Sequence, residues 1–137
     1  MSDLQARKLL IVEGKTDKQR LQLVLQEPVD FICTNGTLSY NELESLIGLL
    51  QDRDDVYILV DADVSGMRLR SQLRQELPNA KHLYTRRMYR EVATTPVDVL
   101  AWVLSQAHFL VKEHLLLPHK SIGQGVQRST DKRRVED

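Results

Sequence analysis

The feature that most constrains the fold is a run of five apolar residues, 56–60, followed directly by two aspartates. A continuous run of valine, tyrosine, isoleucine and leucine, with no polar residue at every second position, is typical of a strand buried on both faces of a parallel sheet. Asp61 and Asp63 come at the carboxyl end of that strand, where open α/β sheets bind their ligands. Because side chains alternate along extended backbone, both carboxylates are expected on one side. The run therefore predicts a site for a divalent cation.

The rest of the chain alternates between strand and helix patterns. Further strands are predicted at residues 8–12, 29–33 and 81–85. A first helix is predicted from Asp17 to about Gln26 after a Thr16 cap, and a second from a Ser39 capping box to Leu50. A third is predicted from Met67 to Leu77, after a turn at Ser65 and Gly66. A fourth begins at Thr95-Pro96, and a second short helix is expected between it and Pro118. This alternation predicts an α/β fold with a parallel sheet covered on both faces, in a strand order that the sequence leaves open.

Length and composition narrow the class of protein. A chain of 137 residues is expected to form one domain, here residues 1–120, followed by a flexible tail at 121–137 with few residues to bury. Because 19 basic residues balance 19 acidic ones, net charge favours neither a nucleic-acid nor a membrane partner. The single Cys33 excludes an internal disulfide and predicts a buried thiol in a reducing compartment. With no predicted signal peptide or spanning helix, we expect a cytoplasmic protein.

A third carboxylate is expected beside the two aspartates. Glu13 follows the first strand, so a parallel sheet would place it at the same edge as Asp61 and Asp63. Oxygen ligands of this kind suit Mg²⁺ or Mn²⁺, and such a metal can polarise a phosphodiester. A carboxylate that does not bind the metal can act as a general acid or base.

Three motifs, each after a predicted strand, resemble those of the TOPRIM domain. They are Glu13-Gly14, Gly36 within Thr34-Asn35-Gly36, and Asp61-x-Asp63-x-x-Gly66. That domain is shared by bacterial primases, type IA and type II topoisomerases, OLD-type nucleases and ribonuclease M5. The chain is most similar to small stand-alone TOPRIM proteins and to the N-terminal domain of ribonuclease M5, over roughly residues 8–105.

The resemblance implies a fold and a division of roles. The fold would be Rossmann-like, with about four parallel strands between helices. The glutamate would be the general acid or base, here Glu13, and the aspartate pair would bind Mg²⁺, here Asp61 and Asp63, with Glu13 as a further candidate ligand. Gly14 and Gly36, together with Gly66, are expected to let the backbone approach metal and phosphate.

Several other residues are candidates for substrate contact. Lys15 and Asp17 lie beside Glu13, and Arg68 begins a helix beside the acids. A basic segment with interleaved aromatic residues follows the fourth strand, in which cationic side chains could hold phosphates while a tyrosine stacks on a base. Its candidate contacts are Arg86, Arg87, Tyr89 and Arg90. Ordinary surface charge explains the same residues equally well.

Two other interpretations of these motifs fit less well. Gly14-Lys15-Thr16 resembles the end of a P-loop, but the glycine required earlier falls at Leu9, inside a strand. Asp61-x-Asp63-x-Ser65 is similar to the nucleophile motif of haloacid-dehalogenase-like phosphatases. Those proteins carry it on the first strand and need a downstream lysine and acid pair, for which this chain leaves little room.

The sequence therefore supports two hypotheses of function. The first is a Mg²⁺- or Mn²⁺-dependent TOPRIM protein that acts on RNA or DNA phosphodiesters, as a small ribonuclease M5-like nuclease or a nuclease module. The second is a metal-dependent module that binds nucleic acid or phosphate ligands without turnover, within a larger assembly. Neither primase nor topoisomerase activity is expected, because zinc-ribbon cysteines and a strand-passage domain are missing. The sequence also leaves open whether the chain forms a homo-oligomer, since Trp102 and residues 115–117 could lie in the core or in a subunit contact.

Overall fold

A parallel sheet with helices on both faces organises the part of the chain that the structure, a computed structural model, describes: residues 7–85 and 90–116. Its strands are β1 (Lys8–Val12), β2 (Val29–Cys33), β3 (Val56–Ile58) and β4 (Lys81–His82), in the order β2-β1-β3-β4. Its α-helices are α1 (Lys15–Val24), α2 (Tyr40–Leu50), α3 (Val64–Glu76) and α4 (Val97–Gln106), with 3₁₀ turns at Val92–Thr94 and Glu113–Leu115. The predicted α/β fold with a four-stranded parallel sheet is confirmed.

Alternation along the central strands divides the core into two layers. Leu10 and Val12 face one side, where they pack with residues of α1 and α4 such as Leu21 and Leu100. Leu9 and Ile11 face the other side, where the packed residues of α2 and α3 are Leu46, Leu50, Leu69 and Leu73. Burying each of these side chains contributes about 1.5–3 kcal/mol, so β1 anchors the fold from both faces.

The strand order places a crevice between β1 and β3. The chain leaves β1 toward β2 through α1, and then crosses back over β1 through α2 to form β3. Since α1 and α2 belong to opposite core layers, the direction of winding reverses at β1. Open α/β sheets bind ligands outside the carboxyl ends of the strands at such a reversal. Glu13 and Asp61 follow the two strands that flank it.

Two helix starts differ from the predictions. The first helix begins at Lys15 with Gly14 as its N-cap, not at Asp17 after Thr16. The turn predicted at Ser65 and Gly66 is instead the first turn of α3, and Asp63 is the N-cap. Because the Asp63 side chain accepts from the Gly66 amide, the helix begins at Val64 and includes the residues of the predicted turn.

Other expectations were met only in part. The capping box at Ser39 and Glu42 is present, with the Ser39 side chain accepting from the Glu42 amide. The fourth strand is shorter than predicted, and α4 begins after Pro96 without a side-chain cap from Thr95. Cys33 is only half-buried because it lies on the edge strand, and Trp102 is 41% exposed on α4 rather than in the core. The tail at 121–137 lies outside the described residues.

Candidate functional site

Glu13 and Asp61 meet across the crevice between β1 and β3. The strands pair with Ile11 opposite Ile58, and the Leu59 amide continues the pairing by donating to the Ile11 carbonyl. The two residues that follow the strands are therefore neighbours, and the Asp61 amide donates to Oε1 of Glu13 at 2.9 Å. The predicted meeting of these residues at one edge is what the structure has.

The two aspartates are each held by one backbone amide. Oδ1 of Asp61 accepts from the Val92 amide at 2.9 Å. Oδ1 of Asp63 accepts from the Gly66 amide at 2.7 Å, as the N-cap of α3. These bonds fix one oxygen of each carboxylate. In residues 7–85 and 90–116, no lysine, arginine or histidine forms an ion pair with Glu13 or either aspartate.

Three acidic side chains act on Glu13. Partial burial raises the pKa of Glu13, and the charges of Asp61, Asp63 and Asp17 raise it further against the opposing hydrogen bond from the Asp61 amide. The Asp17 carboxylate is also buried, with Oδ2 accepting from the Gly14 amide at 3.0 Å. The pKa of Asp17 is raised mainly by burial, and to a smaller extent by the charges of Asp61 and Glu91. The site therefore favours a bound cation or proton.

The donor set suits a hard cation that keeps much of its water. Within the described ranges, no three acidic, histidine or cysteine side chains are arranged to hold a metal ion together. Mg²⁺, however, is commonly bound through one or two carboxylates, with waters and substrate phosphates completing its six ligands. Asp61 and Asp63 are such a pair, and Glu13 lies beside them. That they are ligands stays a prediction.

The structure requires glycine at two of the three motif positions, for different reasons. A Cβ on Gly66 would lie 1.9 Å from the Asp61 carbonyl oxygen, so α3 can approach Asp61 only with glycine there. Gly36 has a φ of +106° with open space around it, so its requirement is conformational rather than close contact. Nothing in the structure demands glycine at Gly14, where a Cβ would make only an ordinary contact. The expected approach to metal and phosphate stays a prediction for all three.

Arg70 has a role that the sequence did not reveal. It is buried, and its guanidinium donates to backbone carbonyls. Its Nη2 donates to the Val60 carbonyl at 3.3 Å and to the Leu83 carbonyl at 2.7 Å, which joins the ends of β3 and β4. Its Nη1 lies 3.1 Å from Nδ1 of His82, and its guanidinium lies 4.1 Å from the Tyr84 ring centroid. The sequence feature that could have indicated this role is the position of Arg70 on the buried side of α3, with Leu69 and Leu73.

The other predicted substrate contacts lie around this edge or outside the described residues. Lys15 and Arg68 are exposed near the starts of α1 and α3. Arg90 is exposed, and its carbonyl accepts from the Ala62 amide at 2.6 Å, so the chain near Arg90 lies against the Asp61–Asp63 loop. Arg86, Arg87 and Tyr89 lie outside the described residues. Their contact with substrate stays a prediction.

Fold and site geometry agree with sequence comparison in defining the class of protein. A sequence model of the Toprim domain matches residues 8–90, and the chain belongs to the Toprim domain family. It is 49% identical over 119 residues to the uncharacterized protein YusF of Bacillus subtilis, covering 87% of this chain and 80% of that protein. A small TOPRIM domain protein from Bacillus stearothermophilus has a similar structure, with a TM-score of 0.76 and 50% identity, over 80% of this chain and 92% of that chain.

Ribonuclease M5 is a more distant relative. The protein from Mycoplasma genitalium is 37% identical over 76 residues, which are 56% of this chain and 42% of that protein. The protein from Bacillus subtilis is 30% identical over 81 residues, 59% of this chain and 42% of that protein. The chain thus spans less than half the length of these two nucleases.

No described helix combines the length and apolarity needed to cross a membrane.

Proposed function

We propose that this protein is a Mg²⁺- or Mn²⁺-dependent nuclease, or the catalytic module of one, that acts on phosphodiesters of RNA or DNA. Glu13 would act as the general acid or base, and Asp61 and Asp63 would hold the metal. Membership of the Toprim family and the relation to ribonuclease M5 support nucleic acid as the substrate. A cytoplasmic location and assembly into an oligomer stay predictions.

The observation that carries the proposal is the placement of Glu13 against Asp61, where no lysine, arginine or histidine among the described residues forms an ion pair with it. Oε1 of Glu13 is engaged by the Asp61 amide, which leaves Oε2 to take or give the proton. A general acid or base is most effective when its pKa lies near the working pH, and the raised pKa of Glu13 moves in that direction. The amides of Val92 and Gly66 meanwhile orient the two aspartates.

A divalent cation bound at Asp61 and Asp63 would polarise the phosphodiester and stabilise its leaving oxygen. The chain's own part is to hold both carboxylates at the end of β3 before metal arrives. Backbone amides do this without neutralising the charge, whereas an arginine partner would compete with the metal. The acidic neighbours also raise the affinity of the site for a cation.

The second candidate is a binding module without turnover. The observation that favours it is coverage, because the chain spans only 42% of each of two ribonuclease M5 relatives. Recognition or catalysis in those nucleases could depend on parts that have no counterpart in the matched region. The same carboxylates would then hold a metal-bridged phosphate of nucleic acid within a larger assembly.

One assay separates the candidates. Labelled RNA and DNA are incubated with protein and Mg²⁺ or Mn²⁺, using the wild type, Glu13→Gln, Asp61→Asn and the control Asp54→Asn. Both site variants keep an oxygen for their backbone amide, whereas Asp54 is exposed before β3, at the opposite edge. We expect metal-dependent cleavage that falls by about 10²–10⁴-fold in the site variants and is unchanged in the control. Binding without cleavage by the wild type would favour the module, and metal-independent cleavage would overturn both.

A further inference from the structure

Residues 90–95 hold the stretch of chain that follows β3. The Val92 amide donates to Oδ1 of Asp61 at 2.9 Å, and the Ala62 amide donates to the Arg90 carbonyl at 2.6 Å. One bond reaches the carboxylate itself, and the other reaches the backbone of the next residue. The direction of the Asp61 carboxylate therefore depends on where residues 90–95 lie, and we call this segment the Asp61 clamp.

The peptide group that joins Glu91 to Val92 is held at both ends. Its N–H is the donor to Asp61, and its carbonyl accepts from Oγ1 of Thr95 at 2.7 Å. A trans peptide is planar, with carbonyl and N–H pointing in opposite directions, so a bond that fixes one end also fixes the direction of the other. A donor at the carbonyl also polarises the N–H and strengthens its own bond. The Thr95 hydroxyl thus acts on Asp61 through one peptide group.

The side chain of Thr95 serves this contact rather than the start of the next helix. The sequence predicts that Thr95 caps α4, but the helix begins after Pro96 without a side-chain cap. Thr95 is instead fully buried, and its hydroxyl turns back to the Glu91 carbonyl. The Thr94 hydroxyl reaches the same carbonyl only at 3.3 Å and from an exposed position. The main side-chain donor to this peptide group is therefore Thr95.

Helix α1 fixes the Asp61 clamp from the other side. Nη2 of Arg20, on α1, donates to the Thr95 carbonyl. Among the described residues Arg20 forms no ion pair, so this backbone contact, rather than a carboxylate, holds its guanidinium. The same helix begins at Lys15, two residues after Glu13. The two sides of the carboxylate site, Glu13 and Asp61, are therefore joined through α1.

We propose that Thr95 is a positioning residue, which sets the direction of the Asp61 carboxylate through the peptide group between Glu91 and Val92. Arg20 supports this arrangement by holding Thr95. The proposal rests on the proposed function, in which Asp61 is a metal ligand. Removing a group that orients a metal ligand typically lowers metal affinity or activity by about 10- to 100-fold. Loss of the Thr95 hydroxyl should accordingly be measurable at the metal, and not only in the stability of the fold.

The first test observes the peptide group itself, without metal or substrate. NMR spectra of ¹⁵N-labelled wild type, Thr95→Val, Thr95→Ser and the control Thr34→Val are compared. Thr34 is also buried, but its hydroxyl has no hydrogen-bond partner among the described residues. In Thr95→Val we expect the Val92 amide proton to move upfield and to exchange about 3- to 10-fold faster relative to the amides of β1. Thr95→Ser and Thr34→Val should resemble the wild type. An unchanged Val92 signal in Thr95→Val would overturn the proposal.

The second test is calorimetric titration of Mn²⁺ into the folded proteins. We expect Thr95→Val to bind Mn²⁺ about 10-fold more weakly, and Thr95→Ser to stay within about 3-fold of the wild type. A merely structural role would lower stability without changing the affinity of the folded protein. Arg20→Met tests the same arrangement from α1, also if Thr95→Val does not fold, and should weaken binding about 3-fold. Gln19→Met, at an exposed position of the same helix, is its control and should change nothing.

The outcomes separate this proposal from the nuclease. Equal Mn²⁺ affinity in wild type, Thr95→Val and Arg20→Met, with cleavage by the wild type, would overturn the role of Thr95 and leave the proposed function intact. Weaker Mn²⁺ binding by Thr95→Val, without any cleavage by the wild type, would retain that role and reject the nuclease. A wild type that binds no Mn²⁺ would overturn both.

Discussion

Gly66→Ala is expected to lower the free energy of unfolding by roughly 3 kcal/mol, the upper end of the usual cost of overpacking. The added Cβ would lie 1.9 Å from the Asp61 carbonyl oxygen and 2.8 Å from its carbonyl carbon. These are backbone atoms, so α3 or the end of β3 must move. The higher helix propensity of alanine offsets about 1 kcal/mol of the strain. Because misplacing catalytic groups by about 1 Å can reduce rates 10²-fold, cleavage should fall by at least that factor.

Gly48→Ala is the matched control for this change. Gly48 also lies within a helix, α2, but a Cβ there would meet nothing within 4 Å. We expect that variant to gain about 0.5–1 kcal/mol, since alanine loses less backbone entropy than glycine. Urea denaturation of both variants measures the difference. Equal stability of the two would show that α3 does not depend on its close approach to Asp61.

Arg70→Met is expected to destabilise the fold by roughly 2–4 kcal/mol, because it leaves buried acceptors without donors. Methionine fills much of the volume but donates nothing to the carbonyls of Val60 and Leu83. The ends of β3 and β4 should separate, and Asp61 follows Val60 directly. Arg68→Met, on an exposed position of the same helix, should change stability by no more than about 0.5 kcal/mol.

His82 gives this change a second readout. Burial, together with the charges of Arg70 and Arg74, lowers the pKa of His82 to about 4 from an ordinary value of 6.5. Between those pH values the unfolded chain binds a proton that the folded chain does not, so stability falls as the pH falls through this range. In Arg70→Met, an NMR titration should find a higher pKa for His82 and a smaller loss of stability. An unchanged pKa would contradict the contact.

Much of the fold and the meeting of the carboxylates could be predicted from local patterns. Runs without alternation predicted buried parallel strands, and parallel strands bring their carboxyl ends to one edge. That rule alone placed Glu13 beside Asp61. The rule holds because it depends on strand direction, which every residue of the pattern supports, rather than on any single side chain.

Side-chain roles that depend on tertiary contacts were not predictable in the same way. Arginine is usually a surface residue, so the sequence alone does not indicate that Arg70 is buried. Only the arrangement of β3 and β4 supplies the carbonyls that accept hydrogen bonds from its guanidinium. Asp63 was predicted as a metal ligand, and its bond to the Gly66 amide was missed because local sequence allows a turn or a helix there.

The division of roles between Glu13 and the aspartates is tested most directly by calorimetric titration of Mn²⁺ into the wild type, Glu13→Gln and Asp61→Asn. We predict that Asp61→Asn weakens metal binding at least 10-fold, whereas Glu13→Gln stays within about 3-fold of the wild type although its cleavage falls by about 10²–10⁴-fold. Equal metal affinity in all three proteins, or a larger loss in Glu13→Gln than in Asp61→Asn, would contradict the account.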